Sequence, residues 1–509
     1  MTSSRPLQGL ERPVDWVGYG SVTLLFAAAR LLYAYLGVHF DVTTFPQFMQ
    51  FIDQKLLSTR LLESLWYYHA NPPLLNLFTG VGIKLFGPHA GAFFAVCFHA
   101  LGLGLAWCVY FLTARLSGSK LAAIITSALL VFSPSFVLYE NWFMYSFPTA
   151  VLLTLAAALL HRYVRSGATR WAVAFFAVLA TLLLLRSFYH LVWLLAVALL
   201  LVAAQWQRRK QILIAAAVPI LAVVLWSGKN LYLFGEFSSS SWFGLGLSNI
   251  TTQMVTREEL RPLVERGELS QFALVSRYKQ PWRLFAGDVP PTGIPVLDEP
   301  LKSSGREFNF NHRQIIPVDR IYTADGLKVI RHFPASYVLG LVMSNRLFFS
   351  PTSMNLYFPV ENRRAAVPME SIYNPVLYGV SAQSGMMRSP DFGLSSNAVL
   401  EVNPSLMLFV IWWLVLAYGY VQARKAFVKR EEDDRPRAIV IGFIVFSMLY
   451  VYGIGTAFEL AENFRYRFDV EPISFVLTAA AVTHLLRVVL KRFARLRAAR
   501  RSAATADQQ

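Results

Sequence analysis

The sequence predicts an all-α polytopic membrane protein with about 10 transmembrane helices. Three observations carry that prediction. Of 509 residues, 55% are hydrophobic and only 15% are charged, against about 25% charged in an ordinary soluble domain. The mean hydropathy is +0.44. The apolar residues also come in runs, and Val151–Leu160, Leu179–Leu185 and Leu191–Ala204 contain almost nothing polar. Runs approaching ~20 residues match the ~30 Å hydrocarbon core of a bilayer. Finally, Lys+Arg 47 against Asp+Glu 30 gives a net charge of +17, and the cations gather just beyond the ends of the runs. This is the positive-inside distribution. It makes the pI near 9.9 a membrane signature and sets nucleic-acid binding aside.

Ten segments read as spans: Trp16–Val38, His89–Ala114, Leu121–Leu138, Phe143–Val164, Trp171–Ser187, His190–Trp206, Ile212–Ser227, Pro404–Val421, Ala438–Thr456 and Val470–Leu490. The first has no small-residue cleavage site behind it and is long enough to span, so it reads as an uncleaved helix. Cys97 and Cys108 lie in one apolar run and offer neither a disulfide framework nor a metal knuckle. Pro72–Phe86 is ambiguous: 15 residues, opened by a Pro-Pro pair and carrying Lys84. The basic connections Arg162–Arg170, Arg208–Lys210 and Arg424–Arg437, and the tail Lys491–Arg501, decide it. Starting from a cytoplasmic N-terminus (Arg5, Arg12), ten spans put every one of them in the cytoplasm. An eleventh crossing would reverse three of them, so Pro72–Phe86 reads as a helix lying along or dipping into the outer surface.

The chain therefore divides into an N-terminal transmembrane module (1–227, with a first external loop at 39–88), an external region (228–403), C-terminal transmembrane helices (404–490) and a basic cytoplasmic tail (491–509). The external region has about 175 residues, room for a small α or α+β domain. Within it Pro334–Phe349 reads as an amphipathic surface helix with Arg346 near its end, either membrane-interfacial or packed. No internal repeat and no matched pair of broken spans is visible.

Four polar clusters fall on the outer side. Asp41 follows the first span and suits a general base at a rigid helix end, with Asp53 twelve residues on. Trp66–Asn76 holds Tyr67, Tyr68 and His69 ahead of Pro72-Pro73, a helix start lined with aromatic and polar groups. Ser133–Asn141 closes a span with Glu140. Glu459–Pro472 packs six charged residues between two apolar runs, among them Glu462, Arg465 and Arg467, with the two arginines spaced to grip a phosphate together. Plainer alternatives are a solvated loop acid, an interfacial aromatic belt and an ordinary charged loop. Further cations line the same rim. Arg30 lies about 12 Å below the outer end of the first span, Arg186 and His190 flank a turn, and Lys229 follows the seventh span. Several cations at one rim point to an anion such as a lipid phosphate.

In this layout the chain resembles the GT-C superfamily of membrane glycosyltransferases, which includes lipid A aminoarabinose transferases and protein O-mannosyltransferases. The resemblance rests on Asp41 in the first external loop, His69–Leu74 with its Pro-Pro, Phe86-Gly87, then Ser133-Pro134 with Glu140, and Arg465-x-Arg467 before Pro472. It covers 16 to about 230, with a local match near the last span. The usual acidic pair is reduced here to Asp41-Val42. The resemblance implies an inverting transfer of sugar, on the external (periplasmic) face of a bacterial inner membrane, from a polyprenyl-phosphate donor to a glycolipid, polysaccharide or protein acceptor. Asp41 is then the base and Glu140 positions the acceptor or a metal. Lys229, Arg465 and Arg186 are candidates for the phosphate, and Tyr67 and His69 shape the sugar pocket. A divalent cation (Mg or Mn), if used, would sit at Asp41 and Glu140. A lipid phosphate leaves without a protonating acid, unlike the leaving groups of glycosidases. Competing readings are a lipid-linked glycan ligase or polymerase and a lipid flippase or transporter. A transporter would place its charges near the bilayer midplane, whereas these gather at the outer ends.

Overall fold

Nine of the ten predicted spans each lie along one helix in the computed structural model, and Leu121–Leu138 is divided between two; the structure describes residues 15–43, 45–275, 289–355, 357–381, 404–428 and 434–506. In chain order the helices are α1 (Trp16–Tyr35), α2 (Gln54–Thr59), α3 (Leu61–Trp66), α4 (Leu74–Phe86), α5 (Ala90–Ser117), α6 (Lys120–Val131), α7 (Pro134–Glu140), α8 (Ser146–Ser166), α9 (Thr169–Leu185), α10 (Leu191–Ala204) and α11 (Arg209–Phe234). There follow α12 (Phe243–Ile250), α13 (Arg257–Glu265), α14 (Pro295–Asp298), α15 (Ile315–His332), α16 (Pro334–Phe348), α17 (Val360–Tyr378), α18 (Leu406–Val428), α19 (Arg435–Phe458) and α20 (Asn463–Ala506). Among the described residues there is no strand, only the isolated bridges Asp41–Trp142 and Leu301–Phe308. The described part of 228–403 is thus helical.

By length and apolarity, seven helical runs among the described residues can cross a membrane: α1, Leu74–Ser117, α8, α11 with the turn before it, α18, α19 and α20. α6 and α7, bent by 60°, make an eighth if taken as one span. α9 and α10, with 17 and 14 residues, are shorter. The bend has a local cause. Pro134 cannot continue α6 but suits the first turn of α7, where Ser133 caps the helix through Phe136 N–H. The whole of α7 is buried.

The run Leu74–Ser117 is not one straight rod. Gly87 has φ +50 at the end of α4, a conformation that only glycine adopts freely. Beyond it the chain reverses, so that Phe78 lies 5.3 Å from Phe94 and Phe86 stacks on Phe93 at 4.3 Å. Gly82 makes the contact possible, since a Cβ there would fall 2.3 Å from the Phe94 ring. The segment Pro72–Phe86 therefore holds a short helix, α4, leaning against the start of α5.

α8 is the central helix, with Ala150, Ala156, Ala157 and Ala158 buried along it. Small side chains let neighbouring helices approach where no hydrophobic drive separates protein from lipid. Alternating directions bring the basic connections to one end. There Lys120 pairs with Asp15 at 2.9 Å, Arg435 donates to Ala204 O, and Arg487 donates to Gly118 O. Arg5 and Arg12 lie outside the described residues, as does most of the run between α18 and α19. α16 packs on the opposite end, with Tyr337 Oη donating to Ala457 O at 2.9 Å and Ser344 Oγ to Glu459 O at 2.8 Å. Its outer face leaves Val338, Leu339 and Val342 about half exposed.

One boundary differs from the expectation. The charged cluster Glu459–Pro472, expected to lie mostly ahead of a span starting at Val470, is a four-residue connection followed by the first turns of α20. Asn463 organises the junction, its amide donating to Gly455 O and Glu459 O while its Oδ1 accepts from Ala461 N–H. α11 likewise continues past Ser227, which places Lys229 inside the helix.

Candidate active site at the end opposite the basic connections

Asp41 sits where the chain leaves α1, in a parallel bridge with Trp142. Its N–H donates to Asn141 O at 3.0 Å, and its carbonyl accepts from Phe143 N–H. Its Oδ1 accepts from Thr43 N–H at 2.6 Å and Thr43 Oγ1 at 2.8 Å. The side chain is thus fixed by its own turn and nearly buried. Asp53, by contrast, is a helix cap. It accepts from Lys55 and Leu56 N–H at the start of α2 and from Ser303 N–H.

Beneath Asp41, Glu140 ends α7 in an ion pair with Arg30 and in contact with His99 Nδ1 at 2.9 Å. Arg30 lies within α1, with its guanidinium between Phe26 and Phe136 and a hydrogen bond to Val131 O. An intramembrane cation of this kind is tolerable because it is paired.

Two further arginines meet at Tyr145. Arg186, at the end of α9, pairs with Asp469 on α20. Arg465, one turn earlier on α20, pairs with Glu462 at 2.9 Å and donates to Ser146 Oγ at 3.3 Å. Each guanidinium carbon lies 5.1 Å from the Tyr145 ring centroid, and Trp142 and Tyr357 also wall Arg465. Both arginines are 2% exposed, and each keeps a buried Nη2 with no partner among the described residues. Trp142 connects the two halves of the site, since its backbone bridges Asp41 and its ring lies 5.5 Å from the Arg465 guanidinium.

Arg467 does not join this pair. Two residues along a helix turn through about 200°, and Arg467 donates instead to Ser350 O and faces Glu471 at 3.6 Å. Glu471 also accepts from Tyr378 Oη and Thr352 Oγ1. The structure therefore brings Arg465 together with Arg186 at Tyr145 and turns Arg467 away from them. Glu462 stands partly exposed at the rim, and His190 is exposed, with its backbone N–H on Tyr450 Oη.

The Tyr67–His69 stretch is a buried clamp. Tyr67 O accepts from Asn311 Nδ2, and Tyr68 Oη donates to Gln50 O. His69 lies between Asn311 O at 3.0 Å on Nε2 and Ser241 Oγ at 2.6 Å on Nδ1, and its own N–H donates to Asn311 Oδ1. The ring is therefore a neutral Nε2–H tautomer. Burial pushes its pKa down to about 3, with Lys229 and His312 adding repulsion. Lys229 Nζ donates to Trp66 O and Tyr68 O, both at 2.9 Å. Lys302 does the same for Pro46 O and Phe48 O, both at 2.8 Å. Two buried lysines thus hold the first connection by its carbonyls.

Among the described residues no group of three or more His, Cys, Asp or Glu is arranged to hold a metal ion. A divalent cation would need carboxylate oxygens free to coordinate it at 2.0–2.6 Å. At Glu140 the Arg30 guanidinium and His99 hold those oxygens instead, so Glu140 does not fit one. Reading the sequence alone missed His99, Tyr145 and Asp469. Asp469 carried a signal, as a carboxylate one turn beyond Arg465 at the start of an apolar run.

No protein-family model matches the sequence, and no curated protein does. Among solved structures, the chain is similar to ArnT from Cupriavidus metallidurans bound to undecaprenyl phosphate, at 16% identity and TM-score 0.33, over 87% of this chain and 77% of that one. It is similar to the same protein in the apo state at 14% identity and TM-score 0.31, over 89% and 78%. The third is the Archaeoglobus fulgidus oligosaccharyltransferase in the apo form, at 13% identity and TM-score 0.35, over 94% of this chain but 52% of that one, so this chain spans about half its length.

Proposed function

We propose that the chain is an inverting membrane glycosyltransferase. It takes a sugar from a polyprenyl-phosphate donor and passes it to an acceptor hydroxyl at the end of the bundle opposite the basic connections. The observation that carries this reading is the pair Arg186 and Arg465, two buried guanidiniums at one tyrosine ring, each with an unpartnered Nη2. Leaving such donors unpaired is costly, and a lipid phosphate would satisfy both. Asp41 accepts the proton of the acceptor hydroxyl as that oxygen attacks the anomeric carbon. The bond from the anomeric carbon to the phosphate oxygen breaks on the opposite side, which inverts the centre. Polyprenyl phosphate leaves with its charge on the two arginines. The turn that fixes Asp41 limits the motion lost before reaction. Glycolipid, polysaccharide and protein acceptors all fit this chemistry, and membrane lipids surround the helices.

The test is transfer from labelled polyprenyl-phosphate sugars by the full chain in lipid nanodiscs, comparing wild type with Asp41→Asn. The reading expects transfer by wild type and a loss of about a hundredfold or more in the variant. Equal rates would remove Asp41 as base. A wild type that consumes no donor but moves labelled lipid across vesicle bilayers would make the chain a flippase.

A further inference from the structure

Glu140 is fully buried, and the protein itself supplies its counter-charge. Arg30 holds Oε2, and His99 Nδ1 holds Oε1 at 2.9 Å. On the Gly102 side there is no room to spare, because a Cβ there would fall 2.5 Å from Oε1 and 3.1 Å from the Phe26 ring. Glu140 is also the last residue of α7, and the next three residues carry the backbone of Asp41. Asn141 O accepts from Asp41 N–H, Trp142 forms the bridge, and Phe143 N–H donates to Asp41 O. From the other side, the His99 ring packs edge-on to Phe40, the residue before Asp41, with centroids 6.4 Å apart. His99 therefore touches both segments that fix Asp41, one through Glu140 and one through Phe40.

We propose that Arg30 and His99 are positioning residues for Asp41. They hold Glu140 as an internal counter-ion that sets the bridge carrying the base, and Arg30 supplies there the positive charge that a divalent cation would otherwise bring. The proposal rests on the reading of Asp41 as base. It assigns Glu140 neither to the acceptor nor to a metal. An error of about 1 Å in a reacting group costs about a hundredfold in rate, so loosening this support slows turnover without weakening donor binding.

The experiment uses the full chain in nanodiscs. His99→Phe removes the donor to Oε1, His99→Asn keeps an N–H near the place of Nδ1, and Gly102→Ala displaces the carboxylate without changing any charge. In His99→Phe and Gly102→Ala, kcat should fall about tenfold to a hundredfold with the KM for donor unchanged, while His99→Asn stays within about threefold of wild type. An unchanged kcat, or a change confined to KM for acceptor, overturns the positioning role. Wild-type transfer should be the same in EDTA as in MnCl2, and loss in EDTA with recovery in MnCl2 overturns the role given to Arg30. Two readouts do not depend on turnover. Amide exchange at Phe40–Thr43 should quicken in His99→Phe, and an unchanged rate overturns the proposal. Millimolar MnCl2 should leave the wild-type melting temperature unmoved, and a rise that disappears in Glu140→Gln overturns it. If wild type transfers no sugar from any donor, the glycosyltransferase reading fails, and these two readouts still decide whether the support exists.

Discussion

Acid should open the clamp around His69. The ring is 1% exposed, donates from Nε2 to Asn311 O and accepts at Nδ1 from Ser241 Oγ. Its pKa is lowered from 6.5 to about 3 when folded. The unfolded chain therefore binds the extra proton between those values, so the stabilisation is complete above 6.5 and is lost as pH falls towards 3. At ~1.36 kcal/mol per pKa unit, moving from pH 7 to pH 5 removes about 2 kcal/mol, and the full shift about 5 kcal/mol. The loss falls on the contact between Tyr67–Ala70 and Ser240–Ser241 with Asn311. Hydrogen exchange read by mass spectrometry on Trp66–Pro73, corrected for the intrinsic pH dependence, should show opening about 30-fold more frequent at pH 5 than at pH 7. In His69→Gln most of that dependence should vanish, leaving what His312 contributes, since burial lowers its pKa too. Equal protection at both pH values, or a wild-type slope in His69→Gln, would refute the reasoning.

Lys302→Met leaves Pro46 O and Phe48 O without their donor, at a local cost of about 1–3 kcal/mol. Exchange at Phe45–Ile52 should quicken and transfer should fall, and unchanged exchange would contradict the role of the lysine. Burial lowers the Lys302 ammonium to about 8 from 10.5. The unfolded chain holds the proton across that window, so wild type should gain stability as pH rises from 8 to 10.5. Thermal melts of Lys302→Met should show a smaller gain than wild type over that range. Gly244→Ala would put a Cβ 2.1 Å from Asp319 O and 2.6 Å from Thr323 N at the crossing of α12 and α15. Backbone cannot yield as a side chain can, so a loss of about 1–3 kcal/mol and a lower melting temperature are expected. A melt like wild type would show that α12 shifts freely.

The helices were legible because a bilayer imposes a length on apolar runs, and Leu191–Ala204 shows that signal without any motif. The break at Ser133-Pro134 was not read, although proline dictates it locally, because the apolar run Leu121–Leu138 continues through it. The start of α20 was not read either. Arg465, Arg467, Asp469 and Glu471 have the composition of a solvated loop, and the local pairs Arg465–Glu462 and Arg467–Glu471 do not by themselves make their burial tolerable. What does so is distant: Asp469 meets Arg186 across 283 residues, and Arg465 meets Ser146 across 319. His69 has the same history. Beside two tyrosines and two prolines it suggested a pocket wall, while its partners Ser241 and Asn311 lie 172 and 242 residues away. Asp41 and Glu140 were found because carboxylates at span ends are rare. That Glu140 points into the bundle depends on the 60° bend and on Gly102, neither of which composition reveals.

In the proposed reaction Arg186 and Arg465 seat a lipid phosphate. The most direct measurement is the Kd of a polyprenyl phosphate for wild type and for Arg465→Gln, each shown by its melt to be folded. Losing one charge-assisted hydrogen bond of about 1.5–3 kcal/mol should weaken binding about 10- to 150-fold. Equal affinity in the two proteins would contradict the account.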